Sequence, residues 1–251
     1  MPELNLNDIA ARLESLEETI IHRLIDRAQW RLNDNAYLQG ASGFPGAEQR
    51  SLFELRLHSQ EEMDAKFGRF CVPEERPFNR DLPKPLRAVS LPDTGVNLKD
   101  YDTVNLTEPL LNSYMLILPK ICLAGDDGQY GSSVEHDVYA IQAIARRVHY
   151  GAIYVAESKF RQDPEGYKKL VETRNRDGLM ERLTRKDVEK KIIERVKTKV
   201  KNLQAKVNKS IRNTVRYEPI IVYYRDLLIP LTKHGEIVYL FNRVENDSVQ
   251  N

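Results

Sequence analysis

The sequence predicts an all-α protein: a single-domain helical bundle of about ten to twelve helices around one long central helix. Apolar residues recur at helical spacing in most segments, and one short run alone, residues 220–224, has the composition of a strand. No repeat of fixed period and no Gly/Ser-rich linker divides the 251 residues. We therefore expect one domain spanning residues 1–251.

The first half of the chain contains two clear helical patterns. Apolar residues recur every three or four positions from Ile9 to Leu24, which predicts a helix that ends near Trp30. Asn, Gly and Pro residues interrupt the pattern over residues 33–47. Residues 52–70 again have a helical pattern, whereas the prolines between residues 77 and 92 predict an irregular stretch.

The second half is predicted to be helical over residues 109–123, 133–161, 188–207, 217–229 and 232–244. Glycines mark a loop over residues 125–131. Residues 133–161 form the longest pattern, which we identify as the central helix. Because the apolar run 220–224 lies among helical patterns, it is interpreted as a buried helix segment and not as a strand.

Composition excludes several classes of protein. Hydrophobic residues are 41% and charged residues 30% of the chain, which is typical of globular domains and not of collagenous or disordered chains. A net charge of +1 provides no strong field toward nucleic acid or an anionic membrane. The two cysteines and five histidines lack zinc-site or disulfide-framework spacing. No run of apolar residues is long enough to span a membrane, so we predict a soluble, cytoplasmic protein.

Two local features have structural explanations that we favour. Residues 182–216 carry thirteen Lys/Arg against three Asp/Glu, but no aromatic side chains interleave with them for base stacking. A solvated helix face, or a positive field around an anionic small-molecule site, explains this stretch better than nucleic-acid binding. The glycines of loop 125–131 lack the lysine of a P-loop, which favours a flexible connection over a phosphate site.

Three groups of polar residues each place charged or polar side chains in or beside the same predicted helix. Arg147 and Lys159 fall in the predicted central helix, and two further pairs are separated by four residues. These pairs are Arg185 with Glu189 and Thr232 with Glu236. Each has an ordinary explanation, since residues four apart on a helix form surface ion pairs and a threonine after Pro230 is a common N-cap.

The strings around these residues resemble one family. RRVHYG at 146–151 and VAESKF at 155–160 resemble the central helix of the all-helical chorismate mutases of the yeast and plant type. VEKK at 188–191, ERV at 194–196 and IPLTK at 229–233 follow in the same order at compatible spacing. LNL at 4–6 resembles the start of that family's first helix, and RF at 69–70 resembles its regulatory segment.

The resemblance implies the rearrangement of chorismate, a dianion, to prephenate without a nucleophile, metal or cofactor. It implies that Arg147 binds a substrate carboxylate with Thr232 assisting, and that Lys159 donates to the ether oxygen. Glu236 would donate to the same oxygen, so it must be protonated, and burial raises a carboxyl pKa in that direction. Glu189 would accept the ring hydroxyl.

This chain departs from the family in the positive charges that it would present to the substrate. The first helix of the family presents an arginine at the position of Ala10, and Arg12 lies about 200° around the helix. One turn before Glu189, where the family has a small amide, this chain has Arg185. Our hypothesis is that Arg185 supplies the missing positive charge.

A second departure is one extra residue between Gly151 and Lys159. The family's eleven-residue spacing from arginine to lysine returns to within about 20° of one helix face, whereas twelve residues end about 120° away. A π-bulge near residues 152–154 would absorb the insertion, and such bulges are frequent at functional sites. We therefore predict a π-bulge there.

Regulation is implied by the same resemblance. The family forms homodimers that bind tyrosine or tryptophan at the dimer interface, and the matching residues here are Arg69, Gly131 and Ser132. A second arginine of the family is Gly68 here, and Glu135 stands where a small hydroxyl residue is usual. These two changes predict an altered or lost effector pocket.

Three functional hypotheses follow. The first is a homodimeric chorismate mutase of phenylalanine and tyrosine biosynthesis. The second is a non-catalytic relative that senses chorismate, prephenate or an aromatic amino acid, which Ala10 keeps open. The third is a nucleic-acid-binding protein that uses the basic face of residues 182–216, which we disfavour on the grounds given above.

Overall fold

The computed structural model of the chain describes residues 4–205, 208–210 and 212–250. Within these ranges it contains eight helices and no strand, which confirms the all-α prediction. The predicted number of helices, about ten to twelve, is too high. One reason is that the last two predicted helices are joined, and another is that short 3₁₀ turns alone interrupt the irregular stretches between the first three helices.

The first half of the chain forms α1 (Leu6–Arg27), α2 (Leu52–Lys66) and α3 (Thr107–Ile121). Helix α1 ends earlier than predicted. Helix α2 begins with a capping box, in which Ser51 and Glu54 satisfy each other's main-chain N–H groups. It ends before Gly68, which has a φ of 85° and occupies the left-handed region.

The central helix, α4, consists of Tyr130–Tyr150, one π-helical turn at Gly151–Val155, and Ala156–Gln162. It packs against α1, α2 and α3 and against the last helix of the chain. The apolar face of α4, including Val138, Ile141 and Val148, is completely buried. This helix is the predicted central helix, and it forms the middle of the core.

Two short helices follow that the sequence analysis did not predict, α5 (Pro164–Glu172) and α6 (Arg176–Leu183). Their start signals are Asp163 followed by proline, and Asn175, whose side chain accepts from Gly178 N. Helix α7 (Lys186–Ala205) corresponds to the pattern predicted over residues 188–207, of which residues 206 and 207 lie outside the described residues.

The last helix, α8, consists of Tyr217–Tyr223, a second π-helical turn at Tyr224–Leu228, and Ile229–Gln250. It joins the two helices predicted over 217–229 and 232–244, and it confirms the helical interpretation of residues 220–224. The π-turn ends two residues before Pro230, whose ring would clash with a carbonyl four residues earlier in a regular helix. Here the Ile229 N–H donates to the carbonyl of Tyr224, five residues back.

The basic stretch of residues 182–216 lies against acidic side chains of the first helix. Arg195 pairs with Glu17, Lys199 pairs with Glu14 and Glu18, and Arg212 pairs with Asp26. Three of the thirteen basic side chains of this stretch thus lie against acidic side chains of α1. No helix in the described ranges has the length and hydropathy of a membrane span. The same ranges contain no cluster of three or more potential metal ligands.

Candidate active site

A cavity of about 410 Å³ lies between α1, α4, α7 and α8. The structure brings to it all six residues predicted to act on a substrate. They are Arg147, Lys159, Arg185, Glu189, Thr232 and Glu236. Arg147 and Lys159 come from the two sides of the π-turn of α4, and the other four come from the start of α7 and the middle of α8.

The π-turn of α4 confirms the prediction made from the extra residue before Lys159. It spans Gly151–Val155 and includes the predicted positions 152–154. Because the wider turn absorbs one residue, Lys159 lies on the pocket side of α4. Its Nζ donates to Glu236 Oε2 at 3.0 Å and to the Leu183 carbonyl at 3.1 Å.

Arg147 is a buried cation in the wall of this cavity. Its side chain is 3% exposed, and its Nη1 donates to Thr232 Oγ1 at 3.1 Å. Its Nε is buried and has no hydrogen-bond partner within the described residues. A buried charged donor without a partner is costly, so an anionic ligand in the cavity would satisfy this group.

Behind Arg147 lies a network that the sequence analysis missed. Glu17 is completely buried, and its Oε1 is 3.6 Å from Arg147 Nη2. Arg195 donates to both carboxylate oxygens of Glu17, at 2.8 and 2.9 Å, and Tyr224 donates to its main-chain carbonyl at 3.4 Å. The signal was present in the sequence, since Glu17 falls four residues after Leu13 on the apolar face of α1.

Glu236 is a buried acid beside two cations. Burial raises the pKa of its carboxyl, while Lys159 and then Lys233 oppose that shift with their positive charge. The raised pKa favours the protonated form, which is the form that can donate a hydrogen bond. This is the direction that the predicted role of Glu236 requires.

Glu189 is held by a residue that the sequence analysis did not select. Lys233 Nζ donates to Glu189 Oε1 at 3.0 Å and to Thr184 Oγ1 at 3.3 Å. The expected alternative, an ion pair of Glu189 with Arg185, is absent from the described contacts, in which Arg185 pairs with Asp187. Lys233 directly follows Thr232, and its place in the family-like string IPLTK was the available signal.

Thr232 lies inside a continuous helix and is not an N-cap. Its hydroxyl donates to the Leu228 carbonyl at 2.7 Å and accepts from Arg147. Gly151 allows α4 and α8 to approach closely here, since a Cβ at Gly151 would lie 2.7 Å from Thr232 Cγ2. The hydroxyl is therefore positioned by a helix contact that needs glycine.

The first-helix wall carries no substitute for the missing arginine. Ala10 lines the cavity, whereas Arg12 lines a separate cavity together with Arg69 and Arg146. The prediction that Arg12 cannot replace the cation at Ala10 is confirmed.

The predicted effector residues do not meet within one chain. Arg69 donates to Asp64 at 2.7 Å, to Glu75 at 3.0 Å and to Gln142 at 2.7 Å. Gln142 is ten residues along α4 from Ser132, a distance of about 15 Å along the helix axis. Gly131 and Ser132 lie at the start of that helix.

The position of Gly68 is closed to a side chain. In addition to its left-handed φ, a Cβ at Gly68 would lie 2.5 Å from Val89 Cγ2. An arginine there would require Val89 and the main chain to move.

Known proteins share this fold and about a third of the sequence. A curated chorismate mutase from Trichoderma parareesei is 34% identical over 257 residues, covering 96% of this chain and 94% of the relative. The solved chorismate mutase of Candida albicans in complex with L-Trp is 31% identical, with a TM-score of 0.90 over 98% of this chain and 95% of that one. AtCM1, solved with tyrosine bound in its allosteric site, is 32% identical with a TM-score of 0.86, and 96% of each chain is covered.

No family model matches the chain. The fold and the charged cavity nevertheless define a helical enzyme of the class that these relatives represent, since identity exceeds 30% over nearly the whole of both chains. The chain belongs to the all-helical chorismate mutases of the fungal and plant type.

Proposed function

We propose that the cavity between α1, α4, α7 and α8 binds chorismate and converts it to prephenate. The observation that carries the proposal is the convergence of Arg147, Lys159 and Glu236 on one cavity. The reaction breaks a C–O bond and forms a C–C bond within one molecule, and its electrons stay within the substrate. The site therefore contributes positioning and electrostatic stabilisation and needs no nucleophile.

Positioning begins with the carboxylates. Arg147 presents a guanidinium whose Nε is unpaired within the described residues, and Glu17 holds its Nη2 from behind. A planar fork of this kind binds a carboxylate through two parallel hydrogen bonds. Thr232 assists by accepting from Arg147 Nη1, which holds the guanidinium in place for this carboxylate.

The ether oxygen gains negative charge as the C–O bond breaks. Lys159 Nζ and Glu236 Oε2 lie 3.0 Å apart, so two donors converge when Glu236 is protonated. Donors that are fixed before the reaction stabilise such charge without reorganisation. Glu189, held by Lys233, accepts the ring hydroxyl and fixes the orientation of the ring.

The test is the loss of chorismate absorbance with the purified protein, with prephenate identified as the product. Turnover that disappears in Arg147→Ala supports the proposal. Saturable chorismate binding without turnover would instead support the sensor hypothesis, and neither binding nor turnover would contradict both.

We further propose a homodimer with an effector pocket between its subunits. Arg69 contacts Gln142, which lies about 15 Å along α4 from Ser132, and this separation favours a pocket that draws the two residues from different copies. Tryptophan and tyrosine bound in the solved relatives support an effector of this type. Sedimentation measures the dimer, and a response of the rate to tyrosine or tryptophan that disappears in Arg69→Ala tests the pocket.

We propose a cytoplasmic location for the protein. A maize relative that is 31% identical over 252 residues carries the name of a cytosolic chorismate mutase and supports this location. Other relatives are named as chloroplastic. Fractionation of the source cells distinguishes the two.

A further inference from the structure

The wall that α1 contributes to the cavity carries no charged side chain. Its members are Leu6, Asn7, Ile9, Ala10 and Leu13. A substrate with two carboxylates thus meets cations from α4, α7 and α8, but none from α1.

The cations that line the cavity differ in how far they are already paired. Lys159 is 3.0 Å from Glu236, and Lys233 is 3.0 Å from Glu189. Arg147 serves one carboxylate, as argued above. Arg185 has a single ion pair within the described residues, with Asp187 at 3.6 Å, and both side chains are more than half exposed at 66% and 62%.

The main chain at Arg185 is fixed to the cavity, although its side chain is not. Thr184 and Arg185 form the turn between α6, which ends at Leu183, and α7. The Leu183 carbonyl accepts from Lys159 Nζ at 3.1 Å, and Thr184 Oγ1 accepts from Lys233 Nζ at 3.3 Å. Two cavity lysines therefore hold the turn, while the guanidinium at its end lies in solvent beside one exposed carboxylate.

We propose that Arg185 binds the second carboxylate of the substrate and closes the mouth of the cavity over it. The inference rests on the proposed function. On binding, the guanidinium exchanges the Asp187 carboxylate for that of the substrate. This exchange costs little, because exposed ion pairs contribute little to stability. The charge that α1 does not supply thus comes from the start of α7.

The first test compares Arg185→Gln with Lys190→Ala, a control that removes an exposed cation five residues further along the chain, on α7. We expect KM for chorismate to rise about tenfold in Arg185→Gln, as loss of a charge-assisted hydrogen bond predicts, with a smaller change in kcat. Lys190→Ala keeps the wild-type KM. An unchanged KM in Arg185→Gln would overturn the inference.

The second test moves the charge. Ala10→Arg in the Arg185→Gln background places a guanidinium on a different wall of the same cavity, and we expect it to restore most of the lost affinity. Asp187→Asn should change KM little, because the exposed pair that it removes contributes little. A double variant no better than Arg185→Gln would contradict the role of Arg185.

Calorimetry separates this inference from the proposed function. If the wild-type protein binds chorismate without turnover, the proposed reaction fails, but the same variants still test Arg185 through the dissociation constant. If turnover is normal and Arg185→Gln matches the wild type in both KM and affinity, the inference fails and the proposed function stands.

Discussion

Two buried arginines, Arg27 in α1 and Arg147 in α4, differ in how many of their donor nitrogens are hydrogen-bonded within the fold. Arg27 is completely buried, and its Nε donates to Asp137 at 2.6 Å. Its two terminal nitrogens donate to main-chain carbonyls, to Tyr37 and to Cys122. Arg147 is almost as buried, but its Nε has no partner in the described part of the chain, and it lines a cavity.

The difference distinguishes a structural cation from the cation that we propose binds the substrate. A buried charge is tolerated when its hydrogen bonds are satisfied, and those of Arg27 are satisfied within the fold. Asp137 also accepts from Tyr37 and Tyr114, both at 2.7 Å, so this cluster is closed to ligands. The Nε–H group of Arg147, in contrast, has no acceptor within the described residues. Substitution of each arginine tests this distinction.

Removal of the structural cation is expected to have the largest effect. Arg27→Met leaves the Asp137 carboxylate buried without its ion partner, and we expect the free energy of unfolding to fall by about 3–5 kcal/mol. Urea denaturation measures the loss. Arg12→Met, which removes an exposed arginine of the same helix, provides the control and should stay within about 0.5 kcal/mol of the wild type. Equal stability of the two variants would contradict the distinction.

The binding cation should behave in the opposite way. Arg147→Lys keeps the charge but removes the planar fork, so we expect kcat/KM to fall about 100-fold. The melting temperature should change far less than in Arg27→Met. The control is Arg146→Lys at the next position of α4, where the arginine pairs with Glu75 at 3.1 Å. A melting temperature that falls as far as in Arg27→Met would place Arg147 among the structural cations.

The buried carboxyl of Glu236 predicts how kcat/KM depends on pH. The raised pKa of Glu236 means that this carboxyl stays protonated at pH values where an exposed glutamate is ionised. Because the proposed donor is the protonated form, kcat/KM should decrease as pH rises through that raised pKa. Glu236→Gln carries a donor at every pH, so its rate profile should lack this decrease. A profile of Glu236→Gln that falls in parallel with the wild type would assign the decrease to another group.

Some of this site was predictable from residues alone and some was not. Helical periodicity identified the central helix. The π-turn was predicted from the resemblance, because Lys159 lies one residue further from Arg147 than in the family and a regular helix would turn it away from the same face. The predicted members of the cavity were found because the family-like strings mark them.

Contacts between distant segments were not predictable in the same way. Glu17 and Arg195 are 178 positions apart in the chain, and no local pattern indicates that they meet. The short helices α5 and α6 were missed because they are too short for a periodic pattern, although their caps were visible at Asp163 and Asn175. The contact that leaves no room for a side chain at Gly68 comes from Val89, which lies in an irregular loop. The path of such a loop cannot be read from the sequence.

The smallest effect on activity is expected from Gly151→Ala, a substitution that disturbs Arg147 only through the packing of α4 against α8. Gly151→Ala would place a Cβ 2.7 Å from Thr232 Cγ2 and push away the threonine that bonds Arg147. We expect overpacking to cost about 1–3 kcal/mol in unfolding free energy, with a fall in kcat/KM of about tenfold or less. Thr232→Ser removes the obstructing methyl but keeps the hydroxyl, so the double variant should recover activity. Recovery would show that the glycine sets the Thr232 position, whereas a double variant as impaired as Gly151→Ala would place the effect in the π-turn itself.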